Sequence, residues 1–102
     1  MEVFRHITVD VTCHWSDIPP VYRIYVDSDL ITERVFSWPG YHNYIKENLI
    51  CHLNSGIHKL RIQNCTGSGT FKLKNFEVDG VNCMHPNHVD PTMQEITFML
   101  HP

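Results

Sequence analysis

Polar and apolar residues alternate along the first part of the chain. Between Val3 and Trp15, apolar side chains occupy most odd positions and polar side chains most even positions. The apolar series is Val3, Ile7, Val9, Val11, Cys13 and Trp15. Successive side chains of an extended strand point to opposite sides of a sheet, so this period of two predicts a β-strand with one buried face. A helix would spread the same residues around its circumference.

Short segments rich in β-branched and aromatic residues follow, separated by residues that favour turns. They predict strands at 21–26, 30–36, 49–53, 57–64 and 70–79 and a last strand that carries Ile96, Phe98 and Leu100. Segment 41–47 fits a helical turn or a strand. The predicted turns are Ser16-Asp17-Ile18-Pro19-Pro20, Asp27-Ser28-Asp29, Trp38-Pro39-Gly40, Asn54-Ser55-Gly56, 65–69 and Asp79-Gly80.

The segment 70–79 changes phase part-way along. Phe71 and Leu73 share one face of a regular strand, whereas Phe76 and Val78 have the opposite parity. One extra residue near Asn75 would bring all four to the same side, so we predict a β-bulge there. Residues 81–92 contain two prolines and no periodicity, which predicts an irregular excursion.

Seven to eight short strands, with a turn about every ten residues, predict an all-β fold. The expected architecture is an antiparallel, jelly-roll-like β-sandwich. The length of 102 residues fits one domain over 1–102. Hydrophobic residues make up 42% of the chain and charged residues 19%, a balance typical of a globular protein rather than a disordered one.

The charge and hydropathy patterns exclude several classes of function. The formal net charge is −3 and no run of Lys or Arg occurs, so we expect no nucleic-acid partner. No apolar stretch is long enough to span a bilayer, and the N-terminus lacks the apolar core of a signal peptide. We therefore expect cytoplasmic synthesis in a reducing compartment and no membrane partner.

A reducing compartment would keep the cysteines as free thiols. Free buried thiols are predicted for Cys13, Cys51, Cys65 and Cys83. If the chain were exported by another route, three disulfide pairings would be open. In regular strands, Cys13-His14 and Cys51-His52 place each cysteine inward and each histidine outward.

The sequence gives little support to a transition-metal site, a calcium site or a catalytic Cys–His pair. Cys83, His85 and His88 could supply metal ligands, but their spacing matches no structural zinc pattern. Asp27-Ser28-Asp29 resembles part of a calcium loop yet lacks its glycine and its terminal Glu, so calcium is the lesser alternative to a plain turn. No third group orients a Cys–His pair. We expect no cofactor and no catalytic activity.

The aromatic residues are the stronger candidates for function. Trp15, Trp38, Tyr41 and Tyr44 lie at or near predicted strand ends beside proline-bearing loops. Exposed rings there suit stacking on sugars or anchoring in a protein interface. Together with His42 they form the predicted ligand-binding set. For Trp15 and Trp38 the favoured alternative is that each covers one end of the core.

About half of the chain resembles small carbohydrate-binding β-sandwich modules. PVYRIYVDSDLITERVF at 20–36 resembles their paired strands. Residues 53–64 resemble their hairpin L-x-x-G-x-H-x-L-x-I-x-N, and FKLKNFEVDG at 71–80 resembles their closing strand. The resemblance implies a sandwich fold and a glycan ligand. Asp29 departs from it, because a glycine is common at that place, and no set of ligand-binding residues matches one by one.

The chain is also similar to short single-domain proteins encoded by tailed phages of marine cyanobacteria. That similarity implies a part displayed on a virion or used to assemble one.

Two functions follow as expectations. The first is a non-catalytic module that binds a glycan through loop aromatics. The alternative is a virion structural or accessory protein that acts through protein–protein contacts and self-association as a homo-oligomer. A glycan binder should expose aromatic rings beside polar groups, whereas an assembly protein should show an apolar patch or a free sheet edge.

Overall fold

A computed structural model describes residues 3–15, 17–37, 43–67, 69–86, 88, 90 and 92–101. These residues form seven strands: β1 (Val3–His14), β2 (Val21–Val26), β3 (Asp29–Val35), β4 (Tyr44–Leu53), β5 (Gly56–Asn64), β6 (Thr70–Val78) and β7 (Glu95–Leu100). Sheet A has the order β4-β1-β6 and sheet B the order β3-β2-β5-β7. All pairings are antiparallel, and the predicted β-sandwich is confirmed. Within the described ranges no helix could cross a membrane.

The core lies between the two sheets. Strand β1 is the centre of sheet A, and its side chains Ile7, Val9 and Val11 have no exposed surface. Aromatic rings from opposite sheets meet across this layer. The Phe76 and Phe98 rings lie 5.0 Å apart between centroids. The alternation of β1 therefore buries the face that the sequence predicted.

A β-bulge interrupts the pairing of β1 with β6. Between two regular pairs, Val9 alone lies opposite both Asn75 and Phe76. Asn75 has a φ of 54°, a left-handed conformation that Asn tolerates better than most residues. Its side-chain amide donates a 2.7 Å hydrogen bond to the Asp10 carboxylate. The predicted bulge is confirmed, and Phe71, Leu73, Phe76 and Val78 are all buried.

Several strand boundaries in the structure differ from the predicted ones. The strand predicted at 30–36 begins at Asp29, which pairs with Val26 across a two-residue turn, and ends at Val35. The strand predicted at 49–53 begins earlier, at Tyr44, so the ambiguous segment is strand from 44 to 47. The predicted turn at 38–40 and residues 41 and 42 lie outside the described residues.

The predicted excursion at 81–92 contains no strand among its described residues. Its backbone instead lies along two sheet edges. The His85 amide donates to the Thr97 carbonyl of β7, and just after the excursion the Met93 carbonyl accepts a hydrogen bond from the Leu73 amide of β6. These contacts partly cover the outer edges of β6 and β7.

Asp90 holds this excursion in shape. One carboxylate oxygen accepts hydrogen bonds from the Thr92 hydroxyl and amide, and the other accepts from the Gln94 and Glu95 amides. Hydrogen bonding by the Thr92 side chain, followed by these backbone amides, keeps the pKa of Asp90 below its ordinary value.

The opposite side of the sandwich carries an ion pair between the sheets. Glu47 points inward from β4 and is only 1% exposed, and the Arg34 Nε atom of β3 lies 2.5 Å from its Oε1 atom. Burial, reinforced by the charge of Glu47, raises the pKa of the neighbouring Tyr22 hydroxyl. The pair joins the edge strands β3 and β4.

Removal of the Arg34 guanidinium should therefore leave a buried carboxylate without its partner. We expect Arg34→Met to lower the free energy of unfolding by about 3 kcal/mol. The control is Arg23→Met, which breaks the exposed Arg23–Glu33 pair and should cost no more than about 1 kcal/mol. Urea unfolding of both variants measures the difference. Equal losses of unfolding free energy in the two variants would show that the Arg34–Glu47 pair contributes no more to stability than an exposed ion pair.

Candidate ligand-binding site

The outer face of sheet A presents two rows of side chains to solvent. Backbone pairing across β4, β1 and β6 places Tyr44, Thr12 and Lys72 in one row. The next row consists of Lys46, Asp10 and Lys74. Alternate residues of a strand share a face, so these side chains all point away from the core. We call this set the two-row patch. It consists of Thr12, Asp10, Tyr44, Lys46, Lys72 and Lys74.

Strand geometry gives the patch its size. Neighbouring strands lie about 4.8 Å apart and alternate residues of one strand about 6.8 Å apart, so the patch measures about 10 Å by 7 Å. A shallow depression of about 410 Å³ lies over its β1–β6 side, lined by Thr12, His14, Thr70, Lys72 and Lys74 together with Cys13.

Tyr44 supplies the aromatic surface of the patch. As the first residue of β4 it lies at the sheet margin, and it is 55% exposed. No hydrogen bond or ring contact within the described residues engages its side chain. Its ring is therefore open to a ligand.

Asp10 is already engaged within the protein. It is 8% exposed although it lies on the outer face. One carboxylate oxygen accepts the hydrogen bond from Asn75, and the other lies 3.8 Å from the Lys46 ammonium. Lys72 and Lys74 are exposed, and neither side chain has a partner in the described part of the chain. The patch is locally cationic although the chain as a whole carries a net charge of −3.

The outer face of sheet B offers a contrasting depression of about 450 Å³ near the excursion. Its polar side chains already have partners. The His88 Nε2 atom lies 2.7 Å from the Glu95 carbonyl oxygen, the Glu95 carboxylate pairs with Lys59, and the Arg61 guanidinium lies over the Tyr25 ring. These groups hold the excursion and the sheet together, so the two-row patch is the better candidate.

The residues of the predicted ligand-binding set differ in their exposure to solvent. Tyr44 is exposed and Trp15 is half-buried, packed against the core at the end of β1. The position of Trp15 fits the alternative role of covering one end of the core. Trp38, Tyr41 and His42 lie outside the described residues, so their role in binding stays a prediction.

No family model matches the chain. No match was found among curated proteins or solved structures either. The resemblance to carbohydrate-binding sandwich modules therefore stays a prediction, and so does the similarity to phage proteins.

Two of the residues considered as metal ligands, His88 and Asp27, have structural roles. Both ring nitrogens of His88 contact the backbone of β7, at the Glu95 carbonyl and the Thr97 amide. The Asp27 carboxylate accepts the Lys59 amide hydrogen bond and contacts the His58 ring. Across the described ranges, no three His, Cys, Asp or Glu side chains cluster closely enough to hold a metal ion.

The four thiols are free but not alike. Cys13 and Cys51 are buried, with His14 and His52 exposed beside them, as the alternation predicted. Burial raises the pKa of Cys13 to about 11 and also raises the pKa values of Cys51 and Cys83. The prediction of a buried thiol is wrong for Cys65, which follows β5 in an exposed turn, and Cys83 is only half-buried.

Sequence reasoning missed most of the two-row patch. The alternation of Phe71 and Leu73 with Lys72 and Lys74 already indicated that both lysines point outward. What it did not show is that β1 lies between β4 and β6, which brings these lysines into line with Thr12 and Tyr44. Pairing between distant strands leaves no local signal in the sequence.

The thiols provide a direct test of this burial pattern. We expect iodoacetamide to alkylate Cys65 at least about tenfold faster than the other three cysteines of the native protein, because only the thiolate reacts and burial suppresses it. Peptide mass spectrometry over a time course measures each rate. Cys65→Ser should remove the fast phase, and in denaturant the remaining cysteines should react alike. Fast labelling of Cys13 or Cys51 in the native protein would contradict the structure.

Proposed function

We propose that this protein is a non-catalytic binding module whose ligand is a glycan held on the two-row patch. The observation that carries the proposal is the open ring of Tyr44, 55% exposed, in one row with the Thr12 hydroxyl and the Lys72 ammonium. The patch thus combines an apolar ring with hydrogen-bonding groups.

Sugar chemistry suits this combination. One side of a pyranose ring presents C–H groups that pack on an aromatic face, while its hydroxyls need hydrogen-bond partners at the rim. Lys72 and Lys74 can donate to those hydroxyls. The Thr12 hydroxyl donates to the Lys72 carbonyl at 3.3 Å, which leaves its oxygen able to accept a hydrogen bond from a sugar.

The platform behind these side chains supports binding without rearrangement. Strand β1 pairs with a neighbour on both sides, and the inner face of sheet A packs into the core. Side chains mounted on such a sheet lose little backbone freedom when a ligand arrives. Weak contacts can then add up to useful affinity.

A second candidate function is assembly with other protein chains. The excursion partly covers β6 and β7, whereas the outer edges of β3 and β4 have no backbone partner among the described residues. Beside the β3 edge, Leu30 is 51% and Val35 is 52% exposed. An edge with apolar flanks is a typical surface for strand pairing between chains. This observation favours the virion structural or accessory role.

The glycan proposal is tested by Tyr44→Ala. On a glycan array, and by calorimetry with the best hit, we expect this variant to bind at least about tenfold more weakly, because it loses the stacking surface. Tyr44→Phe keeps the ring and should bind within about threefold of the wild type. Phe4→Ala is the matched control, since Phe4 is 69% exposed at the other end of sheet A and should leave binding unchanged. The proposal fails if no glycan binds, or if Tyr44→Ala binds normally.

The assembly function has its own test. Light scattering after size exclusion should show a stable oligomer for the wild type if the β3 edge mediates assembly, and Val35→Lys should convert it to a monomer by placing a charge beside that edge. Thr97→Lys is the control, because it adds the same charge to the outer face of β7. A wild type that stays monomeric at high concentration rejects this second candidate.

A further inference from the structure

Lys72 and Lys74 differ from the other cationic residues of the chain. Five of the eight Lys and Arg residues form ion pairs with carboxylates, and Arg61 lies over the Tyr25 ring at 4.7 Å. All eight lie in the described ranges. The two remaining cations are Lys72 and Lys74, on the same face of the same strand.

Their position concentrates positive charge at one end of sheet A. Alternate residues of a strand lie about 7 Å apart, so the two ammonium groups can reach the same ligand atom from both sides. The nearest carboxylate in the patch, Asp10, is held by Asn75 and Lys46. The next carboxylate, Glu77, lies opposite Thr8, one row beyond the patch. An anion placed between the lysines would therefore meet two cations that form no ion pair with any carboxylate of the described residues.

We propose that the glycan bound on the two-row patch is acidic, with a carboxylate or sulfate ester between Lys72 and Lys74 and a sugar ring against Tyr44. This inference rests on the proposed function and adds the chemical class of the ligand. The row from Tyr44 through Thr12 to Lys72 spans about 10 Å, since it crosses two strand spacings. A pyranose ring together with its charged substituent fills that length.

The charge distribution favours a sugar over a nucleic acid. A nucleic-acid strand presents a phosphate every few ångströms and needs a continuous basic track. Here the unpaired positive charge is limited to Lys72 and Lys74 of β6, and the acidic residue Glu77 follows on the same strand. The chain as a whole carries a net charge of −3. Such a site complements one or two anionic groups and would repel a longer run of phosphates.

Charge-matched variants test the inference. Lys72→Gln/Lys74→Gln removes both unpaired cations, whereas Lys59→Gln/Arg61→Gln removes the same charge from the outer face of sheet B. All four residues are exposed, so both variants should fold. The ligands for calorimetry are oligogalacturonate and a sulfated oligosaccharide, each beside its neutral form after methyl esterification or desulfation, and a single-stranded oligonucleotide.

We expect the wild type to prefer at least one acidic ligand over its neutral form by about tenfold, and the Lys72/Lys74 variant to lose that preference. The Lys59/Arg61 variant should keep it. Binding should weaken as salt rises from about 50 to about 500 mM, because exposed charges are screened. The carboxylate and sulfate ligands together show which anion the site takes.

The opposing outcomes separate this inference from the proposed function. Equal binding of acidic and neutral glycans, with sensitivity to Tyr44→Ala, would overturn the acidic class and leave the glycan function standing. Loss of the acidic preference in the Lys59/Arg61 variant would place the anion on the wrong sheet and overturn the inference as well. Binding of the oligonucleotide but of no glycan would overturn both proposals.

Discussion

Burial of the inward side chains of β1 determines the arrangement of the rest of the molecule. Ile7, Val9 and Val11 have no exposed surface, and the strand that carries them pairs on both sides. Because the side-chain period of a strand is two, a slip of one residue would expose this apolar set and bury the polar one. The same constraint that fills the core therefore fixes Thr12 and Asp10 on the outer face. The candidate site is the solvent side of the central strand of sheet A and its two neighbours.

The bulge in β6 connects the core to the site. By adding one residue, it lets Leu73 and Phe76 both face inward although their parity differs. It also turns Asn75 into a left-handed conformation, from which its amide reaches Asp10. That hydrogen bond orients the carboxylate that lies beside Lys74 in the register. The bulge that packing requires thus also fixes one side chain of the two-row patch.

How much the sequence could predict depends on how local each signal is. The inner faces of β1 and β5 and the bulge near Asn75 follow from alternation within one segment, and all three were predicted. The burial of Glu47 was not, because its partner Arg34 lies on a strand of the other sheet. Cys65 was correctly predicted to lie in a turn, but its thiol was wrongly expected to be buried, because the general expectation for thiols ignored the exposure of a turn. Tyr44 was predicted as an aromatic candidate, but its neighbours Thr12 and Lys72 depend on long-range pairing.

Ligand binding to the outer face of sheet A is tested most directly by titrating ¹⁵N-labelled protein with an acidic oligosaccharide and following the amide chemical shifts residue by residue. We expect the largest shifts at Thr12, Tyr44, Lys72 and Lys74, with small changes across β5 and β7. Shifts concentrated on sheet B, or along the free edge of β3, would contradict binding to this face.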